Sequence, residues 1–146
     1  MDIIAATGAI VVLSPVFLLT ALAIKIEDGG SPFFTQKRVG KDGKVFKMYK
    51  FRSMCVNADK MHAQMKEQAG VTDVSFKLVE DPRITKVGNF IRKFSIDEFP
   101  QFINILKGDM SLVGPRPLPV YEAVEVNDEF QGRYQLNPGL TCLWQI

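Results

Sequence analysis

The sequence predicts an α+β fold that is mostly helical and attached to a membrane. Three observations predict it. A 22-residue run, Ile3 to Ile24, carries no charged side chain. Two strand-like segments then flank the glycine-containing loop Gly40-Lys41-Asp42-Gly43. Two short helical stripes follow, with the acidic pair Asp97-Glu98 between them. At 146 residues the chain is one domain by length and can bury a core.

The apolar run is long enough to cross a bilayer core as a helix, which takes about 20 residues. A signal peptide fits poorly, because Asp2 precedes the run in place of lysines and no small-residue cleavage site ends it. A buried helix also fits poorly, since a domain this small rarely hides one that is apolar on every face. Pro15 stands at the centre of the run. It removes the backbone donor to residue 11 and kinks or breaks the helix. Ser14 can bond back to a freed carbonyl. A kinked spanning helix and a re-entrant helix that turns back at Ser14-Pro15 both fit. The basic residues that follow (Lys25, Lys37, Arg38, Lys41, Lys44 and Lys47) mark this side as cytoplasmic and suit anionic headgroups, or a solvated loop.

Gly29-Gly30-Ser31-Pro32 breaks the chain into a new region. Segments 34–39 and 45–51 read as a β-hairpin, with Val45, Lys47 and Tyr49 on one face and Phe46, Met48 and Lys50 on the other. Met54, Ala58, Met61 and Met65 have helical spacing and predict an amphipathic helix over 54–68, its methionines facing core or membrane. Residues 70–81 read as a loop. Val87, Phe90, Ile91 and Phe94 make one helical stripe; Phe99, Phe102, Ile103 and Leu106 make another, closed by Gly108. These helices suit a membrane interface, or packing on each other.

Several function classes drop out. A net charge of +2 is too small for bulk nucleic-acid binding. Cys55 and Cys142 are too few and too far apart for a disulfide framework or a cysteine-rich zinc site. His62 is the sole histidine, so neither a histidine triad nor a multi-histidine metal site can form.

The chemistry concentrates between Arg92 and Pro117. Ser95-Ile96-Asp97-Glu98 fits a capping box, in which Glu98 caps a helix and Asp97 is a favourable first-turn acid. Pro100 argues for a helix that starts nearer Phe99. The functional alternative gives each carboxylate a task on a phosphate. One attacks as a nucleophile; the other holds Mg²⁺, which offsets the repulsion between two anions. Arg52, Arg92 and Arg116 are the candidate phosphate ligands, because a guanidinium fork suits phosphate oxygens. Pro115 and Pro117 hold Arg116 in extended backbone.

Taken together, the chain resembles the bacterial sugar transferases, the monotopic polyprenyl-phosphate phosphoglycosyl transferases. The matching segments are Ser14-Pro15, Gln36-Lys37-Arg38-Val39-Gly40, Tyr49 to Met54, Asp81 to Thr85, Ser95 to Gln101, Asn104 to Pro117 and Pro138 to Thr141, in family order. The resemblance implies transfer of a sugar-1-phosphate from a UDP-sugar to a polyprenyl phosphate, such as undecaprenyl phosphate, in glycan or exopolysaccharide assembly. It implies Asp97 as the nucleophile that forms an aspartyl-phosphosugar intermediate, and Glu98 as the Mg²⁺ ligand. Arg92 and Arg116 are then phosphate-binding, with Lys50 and Arg52 as further candidates. It implies a monotopic protein of the bacterial inner membrane. Residues 1–27 form a re-entrant helix broken at Ser14-Pro15, and residues 28–146 a catalytic body on the cytoplasmic face. The expected partners are donor, acceptor and membrane lipids, with no nucleic acid; a homo-oligomer is compatible with all of this.

There are departures from the family pattern. Basic residues usually stand where this chain has Met1-Asp2, and relatives continue past the position of Ile146, so the resemblance implies a C-terminally truncated chain. Two other functions stay open on the residues. One is a non-catalytic protein whose arginines bind anionic lipid; the other is a metal-dependent lipid phosphatase.

Overall fold

A run without charge has no face to keep in water, and here it folds as one helix, α1 (Asp2–Asp28). A computed structural model describes residues 1–58, 60–61, 81–123 and 128–142, with backbone alone for 128–131. The helix is assigned without interruption through Ser14 and Pro15, where the sequence predicts a break. The local chemistry matches the expectation nonetheless. The Ser14 hydroxyl donates to the Val11 carbonyl at 2.8 Å, the acceptor that Pro15 leaves free. Gly29 ends the helix in the left-handed region, φ 72°, and its N–H bonds the Lys25 carbonyl.

α1 lies along the rest of the protein and is tied to it at both ends. Near its start, Ser111 donates to the Asp2 carboxylate, and Ala6 is buried with Met48, Ile105 and Met110. Near its end, Ile24 is buried with Phe51 and Ile91, and Glu27 accepts the N–H groups of Lys86 and Val87. The outward face keeps eight large apolar side chains exposed, among them Val12, Leu18 and Leu19. By length and composition this helix could cross a membrane, and its mean hydropathy reaches 2.4.

The hairpin forms as expected from β1 (Phe33–Val39) and β2 (Val45–Phe51), joined by a short 3-10 turn. Its register pairs Phe34 with Lys50, Gln36 with Met48 and Arg38 with Phe46. Those six residues share one face, because side chains alternate along a strand. Met48 on that face is buried. The predicted helix over 54–68 starts later than its spacing suggests. Met54 instead makes an isolated β-bridge with Ile84, and helical assignment begins at Ala58. Most of the predicted helix and residues 70–80 of the predicted loop lie outside the described residues.

α2 (Lys86–Lys93) is well capped. Thr85 Oγ1 accepts the Gly88 N–H at 2.9 Å, and Glu27 takes the two N–H groups before it. Gly88 lets α2 press against the strand exit: a Cβ there would lie 2.0 Å from the Ser53 carbonyl oxygen. Gly88→Ala is therefore expected to destabilise the fold by about 1–3 kcal/mol, read as a lower unfolding midpoint; an unchanged midpoint would contradict the close approach. Of the α2 stripe, Ile91 is buried and Val87 packs beside it, while Phe90 and Phe94 are exposed with ring centroids 4.9 Å apart.

α3 (Gln101–Leu106) begins directly after Pro100, as the proline predicts, and Gly108 follows it at φ 79°. Its buried face differs from the predicted stripe. Gln101, Asn104 and Ile105 turn inward, and Ile103 and Leu106 turn out. The cause is Asn104, whose amide is used to hold β2. Beyond it, β3 (Ser111–Val113) pairs in parallel with β5 (Gly139–Thr141), and β4 (Leu118–Pro119) adds to β1. A short helix, α4 (Val120–Ala123), follows β4.

Candidate active site

Ile96 and Phe99 both pack into the core formed by Ile24, Phe51 and Ile91. The two residues between them, Asp97 and Glu98, are thereby left to face outward on a 3-10 turn, Ile96–Glu98. Phe17 of α1 supports this turn, stacked on Phe99 at 6.3 Å between centroids. The capping box does not form. Ser95 makes no side-chain cap bond and sits at φ 55°, ψ 21°, in the left-handed region. An N-cap residue normally takes extended backbone. A serine held at positive φ is uncommon and is locally strained, and such residues gather at functional sites. Ser95 therefore redirects the chain after α2 and does not cap the turn.

Both carboxylates line a cavity of about 670 Å³. Among the described residues its wall carries six cations (Arg38, Lys50, Arg52, Arg83, Arg92 and Arg116) against three carboxylates, Asp97, Glu98 and Glu122. An excess of positive charge selects an anionic ligand. Burial pushes Asp97 above the usual carboxylate range. Lys50 and Arg92 pull it back down, and the neighbouring Glu98 adds to the rise.

The structure sorts the predicted phosphate ligands into two groups. Lys50 Nζ is 2.9 Å from Glu98 Oε1 and is paired with it. Arg52 is committed to Asp28: Nη1 donates at 2.9 Å, Nη2 makes a second bond, and Nε donates to the Ser31 carbonyl. That fork holds the end of α1 to the end of β2, and it keeps the Asp28 carboxyl below its usual range. Arg92 and Arg116 have no carboxylate within ion-pair distance among the described residues. Arg92 Nε donates to Ser53 Oγ at 2.8 Å, a neutral partner.

Arg38 belongs with these two, and it is not among the sequence candidates for phosphate. Its guanidinium is half-buried at the junction of β1 and β4, away from the headgroup role suggested by its basic neighbours. It donates to the Pro117 carbonyl at 2.9 Å and to Gln36 Oε1 at 2.7 Å. A signal for it was present. In a hairpin with this loop, Arg38 falls on the same face as Lys50.

The donor chemistry fits a magnesium ion in part. Mg²⁺ is usually held by one or two carboxylates, with water and substrate phosphates completing its shell. Glu98 beside Asp97 offers that set, with Lys50 on one of the Glu98 oxygens. Among the described residues no group of three or more metal-binding side chains occurs.

Comparison with known proteins shows the family of the chain. The chain is 52% identical over 120 residues to the galactosyl transferase CpsE of Streptococcus agalactiae, covering 82% of this chain and 27% of that protein. It is 43% identical to the exopolysaccharide production protein ExoY of Sinorhizobium fredii, over 99% of this chain and 66% of the relative. It is also 43% identical to the UDP-glucose:undecaprenyl-phosphate glucose-1-phosphate transferase of Escherichia coli K12, over 99% and 30% respectively. The chain thus spans between about a quarter and two thirds of the lengths of these relatives. The family described as bacterial sugar transferase matches residues 1–146, and the chain belongs to that family.

Proposed function

We propose that the protein transfers a sugar-1-phosphate from a UDP-sugar to a polyprenyl phosphate, in two steps that pass through Asp97. The observation that carries this reading is Asp97 itself, half-buried on a cation-lined cavity where Arg92 and Arg116 have no carboxylate within ion-pair distance among the described residues. The name of the Escherichia coli relative supplies the donor and acceptor classes, UDP-glucose and undecaprenyl phosphate. The relatives differ in the sugar that they name, so the sugar stays unassigned.

In the first step an Asp97 carboxylate oxygen attacks the sugar-side phosphorus of the donor. The bond from that phosphorus to the bridging oxygen breaks, and UMP leaves with the electron pair. In the second step an oxygen of the polyprenyl phosphate attacks the same phosphorus. The acyl-phosphate bond breaks, Asp97 returns as a carboxylate, and a lipid diphosphate sugar leaves. Arg92 and Arg116 hold the phosphoryl oxygens while their charge rises. A Mg²⁺ on Glu98 would offset the repulsion between the anionic nucleophile and the anionic donor. Lys50 holds the Glu98 carboxylate in place, and Arg52 anchors α1 to the catalytic body.

Attachment to one leaflet of the bacterial inner membrane, from the cytoplasmic face, completes the reading. Its support is that Asp2 and Glu27, 25 positions apart on α1, bond to the same body. A helix that crossed the bilayer would carry one end away from that body. The acceptor phosphate would then reach the cavity from the leaflet beside it.

The test is UMP release from a panel of UDP-sugars with undecaprenyl phosphate in detergent, with and without a chelator. UMP release that stops with the chelator, with an acid-stable mass adduct of one phosphosugar on Asp97 when acceptor is withheld, is the expected result. If inorganic phosphate were the only phosphorus product, lipid phosphatase chemistry would replace this reading.

A further inference from the structure

Arg38 has a buried donor that meets no acceptor among the described residues. Two of its nitrogens bond the Pro117 carbonyl and Gln36 Oε1, both neutral. Its Nε is buried and has no hydrogen-bond partner among the described residues. Among the described residues no carboxylate lies within ion-pair distance of it. A second guanidinium, that of Arg116, lines the same two cavities and acts on it as a like charge. Burial and Arg116 both hold Arg38 below the usual arginine range, opposed by Tyr121, Glu122 and Glu98.

Each of these features disfavours the arrangement as it stands. A half-buried charge with neutral partners loses hydration without regaining it. A like-charged neighbour adds repulsion. One bound anion would relieve both, because it supplies counter-charge to two guanidinium groups and an acceptor for Nε. The backbone around the pair is held in place for such a role. The Pro115 carbonyl accepts from the Gly139 N–H at 3.0 Å, that of Arg116 from Arg133 Nη2 at 3.1 Å, and that of Pro117 from Arg38. Gly114 and Gly139 approach too closely for a side chain on either, which fixes this segment against β5. Both arginines line the main cavity and also a smaller one beside it, together with Lys50 and Glu98.

We infer that Arg38 and Arg116 form a two-arginine clamp for a phosphoryl group, at the β1–β4 end of the cavity and separate from Arg92. The phosphoryl identity of the anion rests on the transferase reading; the clamp itself rests on the unpaired donor and the paired guanidinium groups. Arg38 is then a ligand-binding residue and not only a tie between β1 and the 115–117 segment.

The experiment measures binding by calorimetry to the full chain in detergent, with three probes: inorganic pyrophosphate, UMP and farnesyl phosphate. Arg38→Lys and Arg38→Gln are compared with wild type, and each unfolding midpoint is recorded. Both variants are expected to keep the midpoint and to bind pyrophosphate about tenfold or more weakly, since losing the fork removes charge-assisted bonds. A matching loss for UMP alone assigns the clamp to the donor; a loss for farnesyl phosphate alone assigns it to the acceptor; a loss for both makes the clamp shared. Wild-type affinity for all three probes in both variants overturns the proposal. Should the Arg38 variants melt early, Arg116→Gln is scored in the same way, and unchanged affinity there also overturns it. Failure of the transferase reading has a different signature: wild type would bind pyrophosphate through Arg38 yet release no UMP from any donor.

Discussion

Asp97→Asn is expected to abolish sugar-phosphate transfer and, at the same time, to stabilise the fold at neutral pH. The loss of turnover should be on the order of 10⁴-fold or more, as for other enzymes stripped of a covalent nucleophile. The gain in stability follows from the site. Burial raises the folded pKa of Asp97 above its unfolded value. Stability from the protonated group is fully present below the ordinary aspartate pKa. It is lost as pH rises through the raised one. At neutral pH wild type therefore holds an ionised group that the cavity disfavours, and the amide removes that burden. The difference in unfolding midpoint between variant and wild type should be small in acid and grow toward neutral pH. The difference isolates Asp97, since Asp28 and Asp81 are held low by arginines and shift wild-type stability in the opposite sense. Turnover should likewise fall on the acid side at a higher pH than an ordinary aspartate would give, because only the carboxylate attacks. Wild-type turnover in the variant would remove Asp97 from the mechanism. A midpoint difference that did not grow with pH would remove the burial account.

The elements with strong local signals were legible in the sequence. The charge-free run, the hairpin with its glycine loop, the stop at Gly29 and the helix start after Pro100 each depend on residues close in sequence. The short strands β3, β4 and β5 were not, because runs of two or three residues carry no period and their partners are remote. The α3 stripe misled for a related reason. Apolar spacing cannot show that the helix will bury Gln101 and Asn104, since that choice depends on a strand more than 50 residues away.

The site was half legible. Asp97 and Glu98 stand out as an adjacent pair among cations, and both line the cavity together with Arg92 and Arg116. Sequence spacing could not reveal that Lys50 pairs with Glu98 or that Arg52 pairs with Asp28, because both pairs join distant segments. The same limit hid Arg38, whose importance comes from what surrounds it. Ser95-x-x-Glu98 met the pattern of a capping box, yet the tight turn out of α2 puts Ser95 at positive φ and its side chain away from the cap. Local pattern lost there to the geometry of the turn that carries Asp97 and Glu98.

Asn104→Leu is expected to be the most destabilising single change in the body that carries the site. Asn104 is fully buried. Its Oδ1 accepts the Tyr49 N–H at 3.0 Å, and its Nδ2 donates to the Lys47 carbonyl at 2.7 Å and to Asp109 at 3.3 Å. One side chain thus completes the hydrogen bonding of β2 where α3 packs against it. Leucine conserves the volume but leaves a strand N–H and a strand carbonyl unsatisfied next to the core. Each unsatisfied buried group costs about 1–3 kcal/mol, so the loss should be about 2–6 kcal/mol. That is a large part of the total stability of a domain of this size, which is about 5–15 kcal/mol. The effect should extend to function. β2 carries Lys50, and α3 follows directly from the turn that bears Asp97 and Glu98. If β2 shifts against α3, Lys50 no longer meets Glu98 and the charged side chains of the cavity lose their common frame. Denaturant titration of the detergent-solubilised chain measures the first effect, and transfer at a temperature where the variant is still folded measures the second. A variant as stable as wild type would mean that water replaces the Asn104 amide. A stable but inactive variant would place Asn104 in the reaction itself, and neither result fits a residue whose task is to join β2 to α3.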